Sequence, residues 1–174
     1  TLNPKVQAAL EESMRDVKGA AVIMDPQNGD VLGIVSNPCK VKASSSLAIE
    51  KWKALSSDPR NSFLSGPTRS YAPGSTFMVV TALAALKSGK LTPETVFNCS
   101  GSFMIKDVAF KCWDTKGHGD MNIKRALTMS CGIFYQIGIR TGMDPIADMA
   151  RRAGFGERSG GLAHEDPGLV HSPE

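Results

Sequence analysis

Tyr71-Ala72-Pro73-Gly74-Ser75-Thr76-Phe77-Met78 bends at Pro73-Gly74 and runs straight into an apolar segment carrying Phe77, Val79, Val80, Leu83 and Leu86. This pattern predicts a helix from Ser75 to about Leu86, apolar on nearly every side and therefore buried at the centre of the fold. Ser75 stands on its first turn, where backbone N–H groups lack intrahelical partners and can stabilise an oxyanion. That is the placement of a nucleophile. In the S-x-x-K arrangement of serine acyl-transfer sites, the fourth residue is a lysine one turn along, within reach of the serine proton. Here it is Met78. A thioether accepts no proton at neutral pH, and a serine without a base is a poor nucleophile. Read as ordinary residues, Ser75 is a helix N-cap and Met78 a core side chain.

Upstream, Leu2, Val6, Ala9, Leu10 and Met14 recur at helical spacing behind Pro4, which predicts an amphipathic helix over Thr1 to Arg15. Gly19 to Met24 and Val31 to Val35 flank an Asn28-Gly29 turn and predict a β-hairpin. From Ser36 to Arg69, serines and the pairs Asp58-Pro59 and Gly66-Pro67 predict a long loop, relieved by a short helix around Ile49 to Leu55. Downstream, Ser88-Gly89 ends the central helix, and Val96-Phe97 and Ser102 to Ile105 are extended. A helical stretch from Ile123 to Arg140 is interrupted at Ser130-Cys131-Gly132. A last helix runs from Asp144, as N-cap, to Gly154, with Pro145 at its first position.

The composition is that of one globular domain: 174 residues, 41% hydrophobic, 21% charged, formal charge +3. Basic residues are scattered among acids, which argues against nucleic acid as a partner. No run of 18 apolar residues exists, and Thr1-Leu2-Asn3-Pro4-Lys5 lacks the pattern of a signal peptide, so any anchor or export signal is expected outside this chain.

Cys99, Cys112, His118 and Cys131 fall as C-x12-C-x5-H-x12-C. Three thiolates and an imidazole are a common tetrahedral set for structural zinc, and each of the first three lies at a turn, as in Gly117-His118-Gly119. Four protein ligands leave no position for water, so such a metal would be structural. Unconnected buried thiols are the alternative. Cys39 stands apart in the loop. His164 and His171 read as solvated tail residues, Trp52 and Trp113 as anchors packing on the core, and Asp114, Lys116 and Lys124 as a solvated face.

Gly19-Ala20-Ala21-Val22-Ile23-Met24-Asp25-Pro26, Pro73-Gly74-Ser75-Thr76-Phe77, Gly117-His118-Gly119 and Gly154-Phe155-Gly156-Glu157 follow in the order seen in class B penicillin-binding proteins. The chain resembles the transpeptidase domain of that family over essentially its whole length, most closely its penicillin-binding protein 2 branch. The resemblance implies an α+β fold of the αβα transpeptidase type, apparently shortened, with a β-hairpin and several helices around the central apolar helix. It implies residues 1–38 as helix plus hairpin, 39–70 as loop, and 71–174 as a mainly helical part with the metal site. By resemblance, Ser75 is the nucleophile, Ser130 opens the second motif, the substrate is a peptidoglycan stem peptide, and β-lactams acylate the same serine. The branch also places zinc in this region, with ligands at matching positions. A periplasmic location, on the outer face of the inner membrane, follows, and with it a Cys99–Cys112 disulfide as a competitor to zinc.

Two motif positions depart from the family. Its lysine falls on Met78, and the third residue of its S-x-N/D motif falls on Gly132. The third motif, K-[ST]-G, belongs to a later strand that this chain does not reach. Lys87-Ser88-Gly89 has the letters but closes the helix of Ser75, roughly 18 Å along it. The chain is thus expected to be a shortened relic or a fragment. Three functions follow: a zinc-stabilised transpeptidase-like domain without acyl transfer, serving cell-envelope assembly through a protein partner or a peptidoglycan strand; an active D,D-transpeptidase seen in part or altered; or a structural metal module with no substrate. The first is preferred, because two site residues are lost together.

Overall fold

The computed structural model describes residues 2–37, 66–161 and 165–171. The short helix expected around Ile49 to Leu55, Cys39, Trp52 and His164 lie outside them. The chain divides into two compact units, Thr1–Ser70 with Gly160–Asp166, and Tyr71–Ser159 with Pro167–Glu174.

The first unit holds helix α1 (Pro4–Ser13) and an antiparallel hairpin of β1 (Gly19–Met24) and β2 (Val31–Asn37). Asn3 caps α1, its side-chain oxygen accepting from the N–H groups of Lys5 and Val6, with Pro4 in the first turn. The helix is shorter at both ends than its apolar periodicity suggests. Gln7 docks it on the sheet: its amide accepts from the Ile34 N–H at 2.9 Å and donates to the Ile34 carbonyl at 3.0 Å. Leu10 buries itself against Gly33, where the absence of a side chain lets helix and strand approach. Asn28-Gly29 makes the predicted turn, with a register shift between Ile23 and Met24.

The second unit begins with a 3₁₀ turn, Gly74–Phe77, leading into α2 (Met78–Lys87). Then come β3 (Val96–Cys99), β4 (Ser102–Ile105), β5 (Val108–Lys111), β6 (Gly119–Asn122), α3 (Ile123–Thr128), α4 (Phe134–Thr141) and α5 (Met143–Arg152). β3 pairs with β6 and β4 with β5, both antiparallel, so this part is less purely helical than expected. The core joins Ala82 and Ala85 of α2 to Leu91, Phe97, Met121, Ile133 and Ile137. Burial of Met121, Ile133 and Ile137 contributes about 1.5–3 kcal/mol each.

Two expectations need correction. The helix of Ser75 is not buried on all sides: Ala82, Ala84 and Ala85 face the core, while Val79 is 48% and Leu83 50% exposed. The alanines, with Val80 and Thr81, form the face that α4 and α5 pack on, while Val79 and Leu83 lie on the other. The last helix starts at Met143 rather than after Asp144, because Gly142, at φ +91°, provides the break, and Asp144 and Pro145 occupy the first turn.

Candidate active-site pocket and metal centre

Gly74, at φ +57°, turns the chain so that Ser75 sits exposed in the 3₁₀ turn rather than on an α-helical first turn. The Thr76 hydroxyl ties the turn down by donating to the Pro73 carbonyl at 2.6 Å. Ser75 and Met78 line one cavity of about 320 Å³ together with Phe77, Thr81, Phe134 and Tyr135. The last two follow directly on the second motif, in Gly132-Ile133-Phe134-Tyr135, but as apolar helix residues they carry no sequence signal for a pocket.

Met78 is half-buried against the core, as its apolar reading expects. Its sulfur also faces the second motif, and the Ser130 hydroxyl donates toward Sδ at 3.9 Å. Ser130 is held at φ +47°, a left-handed conformation that costs a non-glycine residue about 1 kcal/mol or more. The break between α3 and α4 imposes it, since the next N–H, of Cys131, already reaches back to the Ala126 carbonyl at 2.9 Å. Gly132 is buried, and a Cβ there would lie 3.1 Å from Cys112 Cα. An Asn or Asp at that position therefore requires the Cys112 loop to shift. Lys87-Ser88-Gly89 ends α2, with the Ser88 hydroxyl donating to the Ala85 carbonyl, a capping role away from the pocket.

The structure brings Cys99, Cys112, His118 and Cys131 together, their ligand atoms all within 4.8 Å of one another. Cys99 comes from the end of β3, Cys112 from just after β5, His118 from the residue before β6, and Cys131 from the α3–α4 break. His118 Nδ1 is 3.7 Å from Cys99 Sγ and 3.4 Å from Cys112 Sγ, and Cys112 Sγ is 3.9 Å from Cys131 Sγ. A tetrahedral ion with zinc–sulfur and zinc–nitrogen bonds of ordinary length needs about 3.8 Å between sulfurs and about 3.6 Å from sulfur to nitrogen. The donor set and spacing fit such an ion. All three cysteines are free, and no Cys99–Cys112 disulfide forms.

Backbone donors surround the sulfurs. The Gly132 N–H donates to Cys112 Sγ at 3.3 Å. Burial pushes the Cys99 thiol up, but hydrogen bonds from the backbone and side chain of His118 and from the backbone of Gly101 outweigh it and bring the pKa down to about 6. Burial pushes Cys131 up to about 12, with the neighbouring sulfurs adding to the rise and a backbone bond at Ile133 opposing it. Without a cation Cys99 and Cys131 are thus in electrostatic conflict, their pKa values pushed in opposite directions. A divalent ion would relieve it by neutralising the thiolates.

The loops converge because two glycines let them. A Cβ on Gly101 would lie 2.2 Å from the Thr115 carbonyl oxygen, and one on Gly117 2.2 Å from that of Cys99. Backbone therefore crosses backbone beside the cluster. Trp113 is 65% exposed, so it does not pack on the core as expected; instead its indole N–H donates to the Met129 carbonyl and its ring meets His118 edge to face at 4.9 Å. Lys116, Lys124 and His171 are exposed.

The chain matches the penicillin binding protein transpeptidase domain over residues 19–173. The peptidoglycan D,D-transpeptidase MrdA of Escherichia coli K12 is 29% identical over 181 aligned positions, covering 100% of this chain and 29% of MrdA. The solved penicillin-binding protein PBP2 of Helicobacter pylori superposes with a TM-score of 0.88 at 25% identity, over 98% of this chain and 34% of its own. The same Helicobacter protein in its complex with MreC gives 0.87 at 25% identity, over 98% of this chain and 33% of that one. The chain thus spans about a third of the length of these relatives.

Proposed function

Because the chain belongs to the transpeptidase-domain family of penicillin-binding proteins, and its relatives and structural neighbours include penicillin-binding protein 2, we propose that it is a zinc-stabilised domain of peptidoglycan synthesis whose Ser75 is not activated for acyl transfer. One observation carries this reading: the position of the lysine base holds the Met78 thioether, to which Ser130 turns its hydroxyl. The serine proton has no acceptor there. General-base assistance is worth on the order of 10²- to 10⁴-fold, and its loss undermines the other members of a concerted set.

Cys99, Cys112, His118 and Cys131 would hold the ion. Zinc would supply charge neutralisation and loop cross-linking, with no open position for a reacting water. These residues also position the second motif, since Cys131 is bonded to Ser130 and Gly132 donates to Cys112. A periplasmic location belongs to this reading, and the Helicobacter PBP2 complex with MreC supports a protein partner. Among the described residues no helix is long and apolar enough to cross a membrane.

An active D,D-transpeptidase remains the second reading, favoured by the exposure of Ser75 at the mouth of a cavity. Gel capture of a fluorescent penicillin decides between them, with Ser75→Ala as the control. The proposal expects no label above that of the control. Stoichiometric label that Ser75→Ala removes would establish the enzyme.

A further inference from the structure

His118 turns its two ring nitrogens to different surroundings. Nδ1 faces the sulfurs of Cys99 and Cys112, at 3.7 and 3.4 Å, so it is the atom placed to ligate an ion. The ring proton then belongs on Nε2, which is buried and has no hydrogen-bond partner among the described residues. A metal-bound histidine ordinarily donates this second N–H to a carboxylate, a carbonyl or a water, and that bond fixes both the tautomer and the orientation of the ring. The two acids nearest to it in sequence serve other donors: Asp114 accepts from the Lys116 N–H, and Asp120 from the Asn98 side chain.

What lies against His118 is an indole. The ring of Trp113 meets it at 4.9 Å between centroids and 68° between planes, an edge-to-face arrangement that suits a polarised N–H edge against a π face. A divalent ion on Nδ1 would draw electrons from the imidazole and strengthen that attraction. Hydrophobic burial does not account for the position of Trp113, which is 65% exposed. Its indole N–H is anchored on the Met129 carbonyl at 2.9 Å, two residues before Cys131. The ring thus spans from the turn that carries one ligand to the imidazole that supplies another.

We propose that Trp113 is a positioning residue of the metal centre: its ring covers the Nε2 edge of His118 in place of the usual carboxylate or carbonyl, and so holds Nδ1 toward the thiolates. The inference rests on the reading of the cluster as a zinc site.

The test uses the whole chain labelled with ¹⁵N-histidine, with and without zinc, and a chelating dye that competes for the metal. In the zinc-loaded protein, the expected His118 signals are those of a ring metallated at Nδ1 and protonated at Nε2, with the Nε2 proton moved upfield by the indole ring current. Trp113→Ala is expected to abolish that displacement and to weaken zinc binding by about tenfold or more, the usual effect of removing a group that orients a ligating histidine. Trp113→Leu repeats the comparison with a bulkier side chain. Trp113→Phe, which keeps a ring but not the N–H, should bind zinc within about threefold of the parent chain. A ring metallated at Nε2, zinc binding unchanged by Trp113→Ala and Trp113→Leu, or Trp113→Phe as weak as they are would overturn the inference and leave the metal site standing. No zinc uptake by the parent chain at neutral pH would overturn both readings.

Discussion

The hydroxyl of Ser130 points at the thioether sulfur of Met78 across 3.9 Å, so the two motif positions meet in space without a base between them. Met78→Leu keeps shape and volume and is expected to cost under about 1.5 kcal/mol in denaturant unfolding. Met78→Lys places an amine beside Ser130 and is expected to raise the benzylpenicillin acylation rate on the order of 10²-fold. A change of less than about threefold in a folded Met78→Lys protein would mean that the thioether is not what limits Ser75.

Gly117→Ala is expected to destabilise by more than about 3 kcal/mol, because its Cβ would sit 2.2 Å from the Cys99 carbonyl oxygen. Gly119→Ala is the control. It shares a positive φ, +69°, but meets nothing within 4 Å, and should cost only about 1 kcal/mol. Urea unfolding of the two variants separates crowding from backbone strain; equal losses would remove the crossing of the two loops as an explanation.

The hairpin was legible in Asn28-Gly29, and Cys99, Cys112, His118 and Cys131 stood out as one candidate ligand set that the fold does bring together, because turn chemistry and ligand type are local properties. Other features depend on contacts that a sequence does not display. β6 contains Gly119, Asp120, Met121 and Asn122, with no β-branched residue, and is extended because it pairs with β3 next to His118. β4 and β5 turn at Lys106, held at φ +50° without the glycine or asparagine that would have announced a hairpin. The large apolar residues of α2 suggested burial all round, yet Val79 and Leu83 lie opposite the alanine face that packs. Of the pocket, Ser75 and Met78 were legible from the motif, whereas Phe134 and Tyr135 read as ordinary helix residues.

The metal-free cluster should have a stability optimum near pH 9. The folded pKa of Cys99, about 6, is below the ordinary thiol value of 9.0, so its contribution is complete above 9 and is lost as pH falls through 6. That of Cys131, about 12, is above it, so its contribution is complete below 9 and is lost as pH rises through 12. Thermal melts of chelator-treated protein across pH 6 to 11 check the sign. For the loaded form, zinc uptake at pH 7.5 should release at least one proton, since Cys131 enters the site as a thiol, and isothermal titration in two buffers reads the total as a proton count.

Chelation should lower Tm by at least about 10 °C, because the four loops that converge on the cluster lose their cross-link. Cys131→Ser should reproduce most of that loss and make the remaining Tm insensitive to chelator. A Tm unchanged by strong chelation at neutral pH would show that the cluster needs no metal.

Native and denaturing intact-protein mass spectrometry of one sample incubated with excess benzylpenicillin tests the central claim most directly. The account predicts one zinc retained under native conditions and no covalent adduct after denaturation; a stoichiometric adduct mapped to Ser75 would contradict it.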